Sequence, residues 1–103
     1  MFARVTTTRG PARKADVVRM VQQRLIPALE GIKGLKGAYW LLDEKTGKGL
    51  AVSFWDSEDA LTASAGPIGQ LRTQSTKELG VEVESVESFE VIQTAGVPAE
   101  VSA

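Results

Sequence analysis

Residues 38–56 read AYWLLDEKTGKGLAVSFWD, two apolar runs on either side of a short polar segment. The runs Ala38 to Asp43 and Leu50 to Trp55 are rich in aromatic, leucine and β-branched residues, which predicts two strands. The segment Glu44 to Gly47 between them predicts a hairpin turn whose final glycine takes a positive φ. Asp56 is the expected N-cap of a helix that begins directly after the second strand.

The register of this hairpin stays open at the level of sequence. A four-residue loop would pair Trp40 with Ala51, whereas a three-residue loop with a bulge at Gly47 would pair Trp40 with Val52. Because side chains alternate between the two faces of a strand, one residue of slip exchanges the faces. The sequence therefore does not determine whether Tyr39 or Trp40 faces the helices.

The N-terminal side of the hairpin adds a strand and a helix. Phe2 to Thr8 is rich in aromatic and β-branched residues and stops at Gly10-Pro11, which predicts the first strand. From Lys14 to about Glu30 the apolar residues recur at helical spacing, which predicts an amphipathic helix. Pro27 is expected to kink the last turn of this helix, because proline lacks the backbone donor.

The C-terminal side adds a second helical region and a last strand. The helix is expected to break at Gly66-Pro67 and to end at Gly80, a residue type suited to the C-terminal cap. A strand is predicted from about Val83 to Ile92. Residues 1–94 are expected to form a single domain, and residues 95–103 a flexible C-terminal tail.

The order β-α-β-β-α-β predicts an α+β, ferredoxin-like fold, in which one antiparallel sheet carries both helices on one face. Whichever face the helices cover, apolar residues remain on the other face and need to be buried. The residues concerned are Trp40, Leu42, Val86 and Phe89, which are too many to leave exposed to water. A second copy that packs sheet against sheet is the simplest cover, so we expect a homodimer.

Composition excludes several kinds of chemistry. The chain has 103 residues and a formal charge of −1, with neither cysteine nor histidine. Disulfides, thiolate nucleophiles and imidazole ligands or bases are therefore ruled out, and we expect no metal and no cofactor. The basic residues are scattered along the chain, so no nucleic-acid partner is expected. No apolar run is long enough for a membrane span and the N-terminus lacks a secretion signal, so we expect a cytoplasmic protein.

Three segments resemble one superfamily: GLKGAY at residues 34–39, DEKTGK at 43–48 and VSFWDSEDAL at 52–61. They are similar to the dimeric α/β-barrel superfamily, which includes antibiotic biosynthesis monooxygenase-like domains, and the resemblance covers about residues 2–94. It implies that two protomers pack their sheets face to face and that ligand pockets lie within each protomer, between sheet and helices. The superfamily includes cofactor-independent oxygenases of aromatic polyketides, haem-degrading enzymes and proteins without a known reaction.

The haem-degrading branch implied by this resemblance can be tested position by position. It requires an Asn on the first strand, where this chain has Ala3. It also requires a Trp in the second helical region and a His near its end, where the chain has Ser64 and Gln74. All three functional side chains are missing, so haem degradation is not expected.

Four residues are candidates for binding a small molecule. Trp40 could form an aromatic wall or pack in the core, and Gln74 supplies a neutral hydrogen-bonding group. Tyr39 supplies a phenol, but a position at the surface or at the rim of the dimer is the favoured interpretation. Arg4 could hold an anionic group, but an ion pair with a glutamate of the last strand, Glu87 or Glu90, is the favoured interpretation.

Two other features receive structural interpretations. Trp55 is interpreted as a packing residue that braces the corner between strand and helix. The glutamates of the last strand are interpreted as solvated charges that discourage aggregation at a sheet edge rather than as metal ligands.

Two functions are compatible with these residues. The first is a small-molecule-binding or interaction domain without turnover, which the missing general base favours. The second is a cofactor-independent monooxygenase acting on a small aromatic or polyketide-like substrate, because a substrate with an acidic hydroxyl can itself supply electrons to oxygen. A cavity with convergent polar groups between sheet and helices would favour the enzyme, whereas an unbroken apolar core there would exclude both ligand-based functions.

Overall fold

The fold is described from a computed structural model of the chain, over residues 1–96. The elements are β1 (Phe2–Arg9), α1 (Lys14–Met20), a π-helical segment (Val21–Leu25), α2 (Ile26–Leu29), β2 (Leu35–Asp43), β3 (Lys48–Trp55), α3 (Glu58–Ala63), α4 (Ala65–Leu79) and β4 (Glu82–Glu90). One helical region consists of α1, the π-helical segment and α2, and the other consists of α3 and α4.

The four strands form one antiparallel sheet in the order β2-β3-β1-β4. With two helical regions inserted as β-α-β-β-α-β, this is the predicted α+β, ferredoxin-like arrangement, which is confirmed. Residues 97–103 lie outside the described part of the chain. The expected division into a domain of residues 1–94 and a tail of residues 95–103 therefore stays a prediction.

The hairpin between β2 and β3 has the four-residue loop. Trp40 pairs with Ala51 and Asp43 pairs with Lys48. Gly47 has φ +75°, and a Cβ at this position would lie 2.7 Å from the carbonyl oxygen of Gly10. A side chain there would collide with backbone in an unfavourable conformation, so the glycine fixes this turn.

The pairing places Trp40 on the face covered by the helices and Tyr39 on the opposite face. We call that opposite face the open face. It is lined by large apolar or aromatic side chains, several of them exposed: Val5, Tyr39, Leu41, Leu50, Val52, Phe54 and Phe89. Tyr39 and Phe54 pack there edge to face, with ring centroids 6.0 Å apart and planes at 88°.

The start of the second helical region differs from the prediction. Ser57, not Asp56, is the N-cap of α3, because the Ser57 hydroxyl oxygen accepts a hydrogen bond from the Ala60 amide at 3.1 Å. The Asp56 amide instead donates to the Gly34 carbonyl at 2.9 Å. The chain thus leaves the sheet one residue later than expected before it turns into the helix.

The break between α3 and α4 also differs from the prediction. It lies at Ser64 rather than at Gly66-Pro67. Pro67 occupies the first turn of α4, where a missing N–H leaves no intrahelical bond unmade. Gly80 ends α4 in the left-handed conformation, with φ +73°, as predicted.

The first helical region is distorted one turn earlier than its proline predicts. Residues Val21–Leu25 form a π-helical segment, and the Ile26 amide donates to the Val21 carbonyl. Pro27 follows directly after this segment, near the start of α2. The irregularity beside the proline is thus a π-helical turn, a feature often found at functional sites.

The buried core is centred on Trp55, whose side chain is 0% exposed. Its indole N–H donates to the Ser53 hydroxyl at 2.9 Å, and the Arg4 guanidinium lies 5.4 Å from the ring centroid. Trp55 ends β3 just before α3 begins, as the corner-brace interpretation requires. Within residues 1–96, no helix is long and apolar enough to cross a membrane.

Replacing Trp55 should destabilise the domain severely. Trp55→Ala removes a fully buried aromatic side chain, which costs about 3–5 kcal/mol, while Trp55→Phe keeps most of the packing and should cost less. Chemical denaturation of both variants, with Trp40→Ala as the comparison at a half-buried position, measures the difference. A Trp55→Ala variant as stable as the parent would rule out its role as the brace.

Candidate functional site

A cavity lies between the sheet and the two helical regions. Its volume is about 150 Å³, and it opens to the outside rather than being sealed. The apolar part of the lining includes Val21, Leu25, Trp40, Ile68, Leu71 and Leu79. The space between sheet and helices is therefore not an unbroken core.

The cavity exists because the floor beneath it has small side chains. The central strand β3 presents Gly49, Ala51 and Ser53 toward the helices, and β1 presents Thr6 beside them. Protein interiors normally fill such space to crystal-like density. Between Gly49 and Ser53, no side chain of β3 that points toward the helices is larger than serine, whereas Trp55 at the end of the strand is fully buried.

The π-helical segment supplies one wall of the cavity. Val21 and Leu25, its first and last residues, are both buried and both line the cavity, while Gln22 to Arg24 between them are exposed. Arg24 makes an ion pair with Glu78 of α4, which joins the two helical regions. The wall on this side is thus held to the opposite helix by a surface contact.

Arg4 lies at one end of the cavity and is only 5% exposed. Its guanidinium donates to the Leu61 carbonyl at 2.7 Å and to the Ser64 hydroxyl at 3.1 Å. The Leu61 carbonyl is close to the C-terminus of α3, where a positive charge is favourable. Burial lowers the pKa of Arg4, and so does the nearby positive charge of Arg72.

The favoured ion pair of Arg4 with Glu87 or Glu90 is wrong. Glu87 is opposite Val5 and therefore shares the open face, whereas Arg4 faces the helices. Glu90 is opposite Phe2 and is exposed. Among residues 1–96, Arg4 makes no ion pair with any carboxylate.

Arg72 of α4 is the functional candidate that the sequence interpretation missed. It is half-buried and lines the cavity, and burial lowers the pKa of its guanidinium. Helical spacing could have found it, because Ile68 and Leu79 lie one and two turns away on the same face of α4. An arginine on an apolar helix face is a signal for a buried charge.

The structure brings together only part of the predicted set. Arg4 and Trp40 both line the cavity. Tyr39 is separated from them by the sheet, and Gln74 is exposed on α4 and does not line the cavity. Neither Ala3 nor Ser64, the other positions compared with haem-degrading proteins, lines it either. In the described part of the chain, no cluster of three or more acidic side chains is arranged to hold a metal ion.

The fold is shared with solved proteins of low sequence identity. HapK from Hahella chejuensis matches with a TM-score of 0.71 and 13% identity, over 96% of this chain and 100% of that one. A protein of Deinococcus radiodurans named for the antibiotic biosynthesis monooxygenases matches at 0.66 and 16%, over 96% and 100%. A monooxygenase from the ActVA-Orf6 gene of Streptomyces coelicolor, in complex with nanaomycin D, matches at 0.66 and 17%, over 95% and 92%.

These likenesses confirm the predicted resemblance at the level of fold: the chain has the fold of antibiotic biosynthesis monooxygenase-like proteins. No protein-family model matches the chain. Among curated proteins, the uncharacterized Rv2557 of Mycobacterium tuberculosis is 28% identical over 92 residues, which cover 88% of this chain and 41% of that protein. The chain thus spans about two fifths of the length of this relative.

Proposed function

We propose that this domain binds a small, largely apolar molecule in the cavity between its sheet and its helices. The observation that carries the proposal is the open cavity of about 150 Å³ with an apolar lining and convergent polar groups at Arg4 and Arg72. Ligand sites are typically concave, mostly apolar and equipped with a few placed polar groups. The ligand in the Streptomyces coelicolor neighbour gives the same fold a precedent for holding a small molecule.

The volume of the cavity limits the size of the ligand that it can hold. A dry apolar cavity of about 150 Å³ accommodates a single benzene ring, whereas drug-sized ligands need roughly 300 Å³ or more. One ring with a short substituent therefore fits the observed shape. A larger polyketide-like molecule would require α4 and the π-helical segment to move apart, with loss of the Arg24–Glu78 contact.

A ligand that enters the cavity should change the fluorescence of Trp40, which lines it, and not that of the fully buried Trp55. We expect saturable changes with single-ring aromatics such as phenol, and weaker or absent changes with nanaomycin D. Trp40→Phe should abolish the signal. A signal that persists in Trp40→Phe would place the ligand elsewhere.

Ala51→Leu is the matched test of location, because it fills the floor of the cavity without touching the outer surface of the helices. The substitution should abolish ligand binding, which calorimetry measures. It should leave the melting temperature the same or higher, because it replaces empty volume with a packed side chain. Unaltered binding in Ala51→Leu would contradict the proposed site.

Cofactor-independent monooxygenation is the second candidate, favoured by the positive charge beside an apolar pocket. Such charge stabilises a phenolate or enolate, the electron-rich form of a substrate that can react with oxygen. Converting an activated methylene to a carbonyl supplies all the electrons that reduce dioxygen, with one oxygen atom in the product and the other in water. Oxygen uptake with a bound phenolic ligand would support this candidate, and binding without uptake would leave a binding domain.

We also propose that two copies pair through the open face. Leu41 and Phe89 are 51% and 50% exposed there, and the helices lie on the other side of the sheet. Exposed apolar surface of this kind on a sheet is typical of an interface. The face-to-face packing implied by the superfamily resemblance would cover it.

Light scattering after size exclusion should give the mass of two chains of 11.0 kDa each. Leu41→Glu should shift the mass toward one chain, because it places a charge on the open face. Gln74→Glu is the control, since Gln74 is exposed on α4, on the other side of the sheet. A single-chain mass for the parent at micromolar concentration would refute the pairing.

A further inference from the structure

Two guanidinium groups border the same cavity, and only one of them has hydrogen-bond partners within the described part of the chain. Arg4 donates to the Leu61 carbonyl and the Ser64 hydroxyl and lies against the ring of Trp55. The side chain of Arg72 makes neither a hydrogen bond nor an ion pair with any other residue of the range 1–96. Arg4 is therefore part of the scaffold, whereas the donors of Arg72 remain available at the cavity.

The carboxylates that could neutralise Arg72 are engaged elsewhere or lie away from it. Glu78, on the same helix, pairs with Arg24, and Asp16 pairs with Arg19. An unpaired charge that is partly removed from water is unfavourable, and a second positive charge nearby makes it more so. The pKa of Arg72 is lowered by burial and its charge lowers the pKa of Arg4, which fits this uncompensated state.

The neutral hydroxyl groups beside Arg72 already donate their hydrogen bonds within the helix, so they are not donors for a ligand. The hydroxyls of Ser75 and Thr76 both donate to the carbonyl of Arg72, at 3.2 and 2.8 Å. Arg72 is thus the strongest free donor at the edge of an otherwise apolar space. A guanidinium presents a planar fork of donors that matches the two oxygens of a carboxylate.

We infer that the ligand of this cavity is a small aromatic carboxylic acid bound as its anion, with the carboxylate on Arg72 and the ring over the small floor of β3. This inference rests on the proposed function and specifies its ligand class. Arg4 contributes a second positive charge to the same end of the cavity without giving up its own hydrogen bonds. A neutral ligand of the same shape would leave both charges uncompensated.

Benzoate and benzamide test this inference, because they share one ring and nearly the same shape and differ in charge. Binding is followed for both by calorimetry and by amide chemical shifts. Benzoate should bind at least about tenfold more tightly than benzamide, as expected for a charge-assisted hydrogen bond. Arg72→Met should remove most of this preference and leave only the small part due to the charge of Arg4, and Arg72→Lys, which keeps the charge but not the fork, should retain more of it.

Lys77→Met is the matched control, because it removes one positive charge from the same helix at an exposed position. It should leave the ratio of benzoate affinity to benzamide affinity unchanged. The melting temperature should stay the same in Lys77→Met and stay the same or rise in Arg72→Met, because the latter removes an uncompensated, partly buried charge.

The outcomes distinguish the preference for a carboxylate from the binding function itself. Equal binding of benzoate and benzamide by the parent would overturn the inference while leaving the proposed binding function intact. A preference that persists undiminished in folded Arg72→Met would overturn the role of Arg72. If benzoate, benzamide and phenol all fail to bind, the proposed function falls and the inference with it.

Discussion

The pairing of Trp40 with Ala51 across the β2–β3 hairpin determines the chemistry of both sheet faces. It turns Trp40 toward the helices together with the smallest residues of β3, and it turns Tyr39 and Leu41 to the open face. A shift of one residue would have exchanged these sets. Gly47 maintains the pairing, because its backbone conformation and its contact with Gly10 exclude other residues from the turn.

The cavity follows from this arrangement and from the two helical regions above it. Small residues on β3 leave space above the sheet, and Val21 and Leu25 of the π-helical segment line one side of that space. A domain of this size buries a smaller share of its surface than a large one, so unfilled core volume lowers its stability noticeably. Such a space with an arginine at its edge is what the proposed ligand binding requires.

Much of this fold could be predicted from local sequence, because strand runs, turn glycines and helical periodicity are local properties. The βαββαβ order and the cap at Gly80 were predicted correctly for that reason. The N-cap at Ser57 and the helix break at Ser64 were not, since both depend on where the chain leaves the sheet and on what Arg4 contacts. The contact of Arg4 with Ser64 joins residues 60 positions apart in the chain.

The residues that line the cavity were harder to predict than the fold. Arg4 was assigned to the wrong partner because the pairing of β1 with β4 decides which glutamates share its face. Tyr39 and Gln74 were grouped with Trp40 although the sheet and the orientation of α4 separate them. Arg72 was missed because a single charged residue on a helix looks like a solvated one until its neighbours on the apolar face are considered.

The central claim is that an accessible, largely apolar cavity exists between β3 and the two helical regions. Xenon tests it directly, because this gas enters apolar cavities of about 150 Å³ and is visible in a crystal structure of the pressurised protein. We predict a xenon peak in contact with Val21, Leu25 and Leu71, and no such peak in Ala51→Leu. A pressurised parent crystal with no xenon between sheet and helices, and with the helices packed onto β3, would contradict this account.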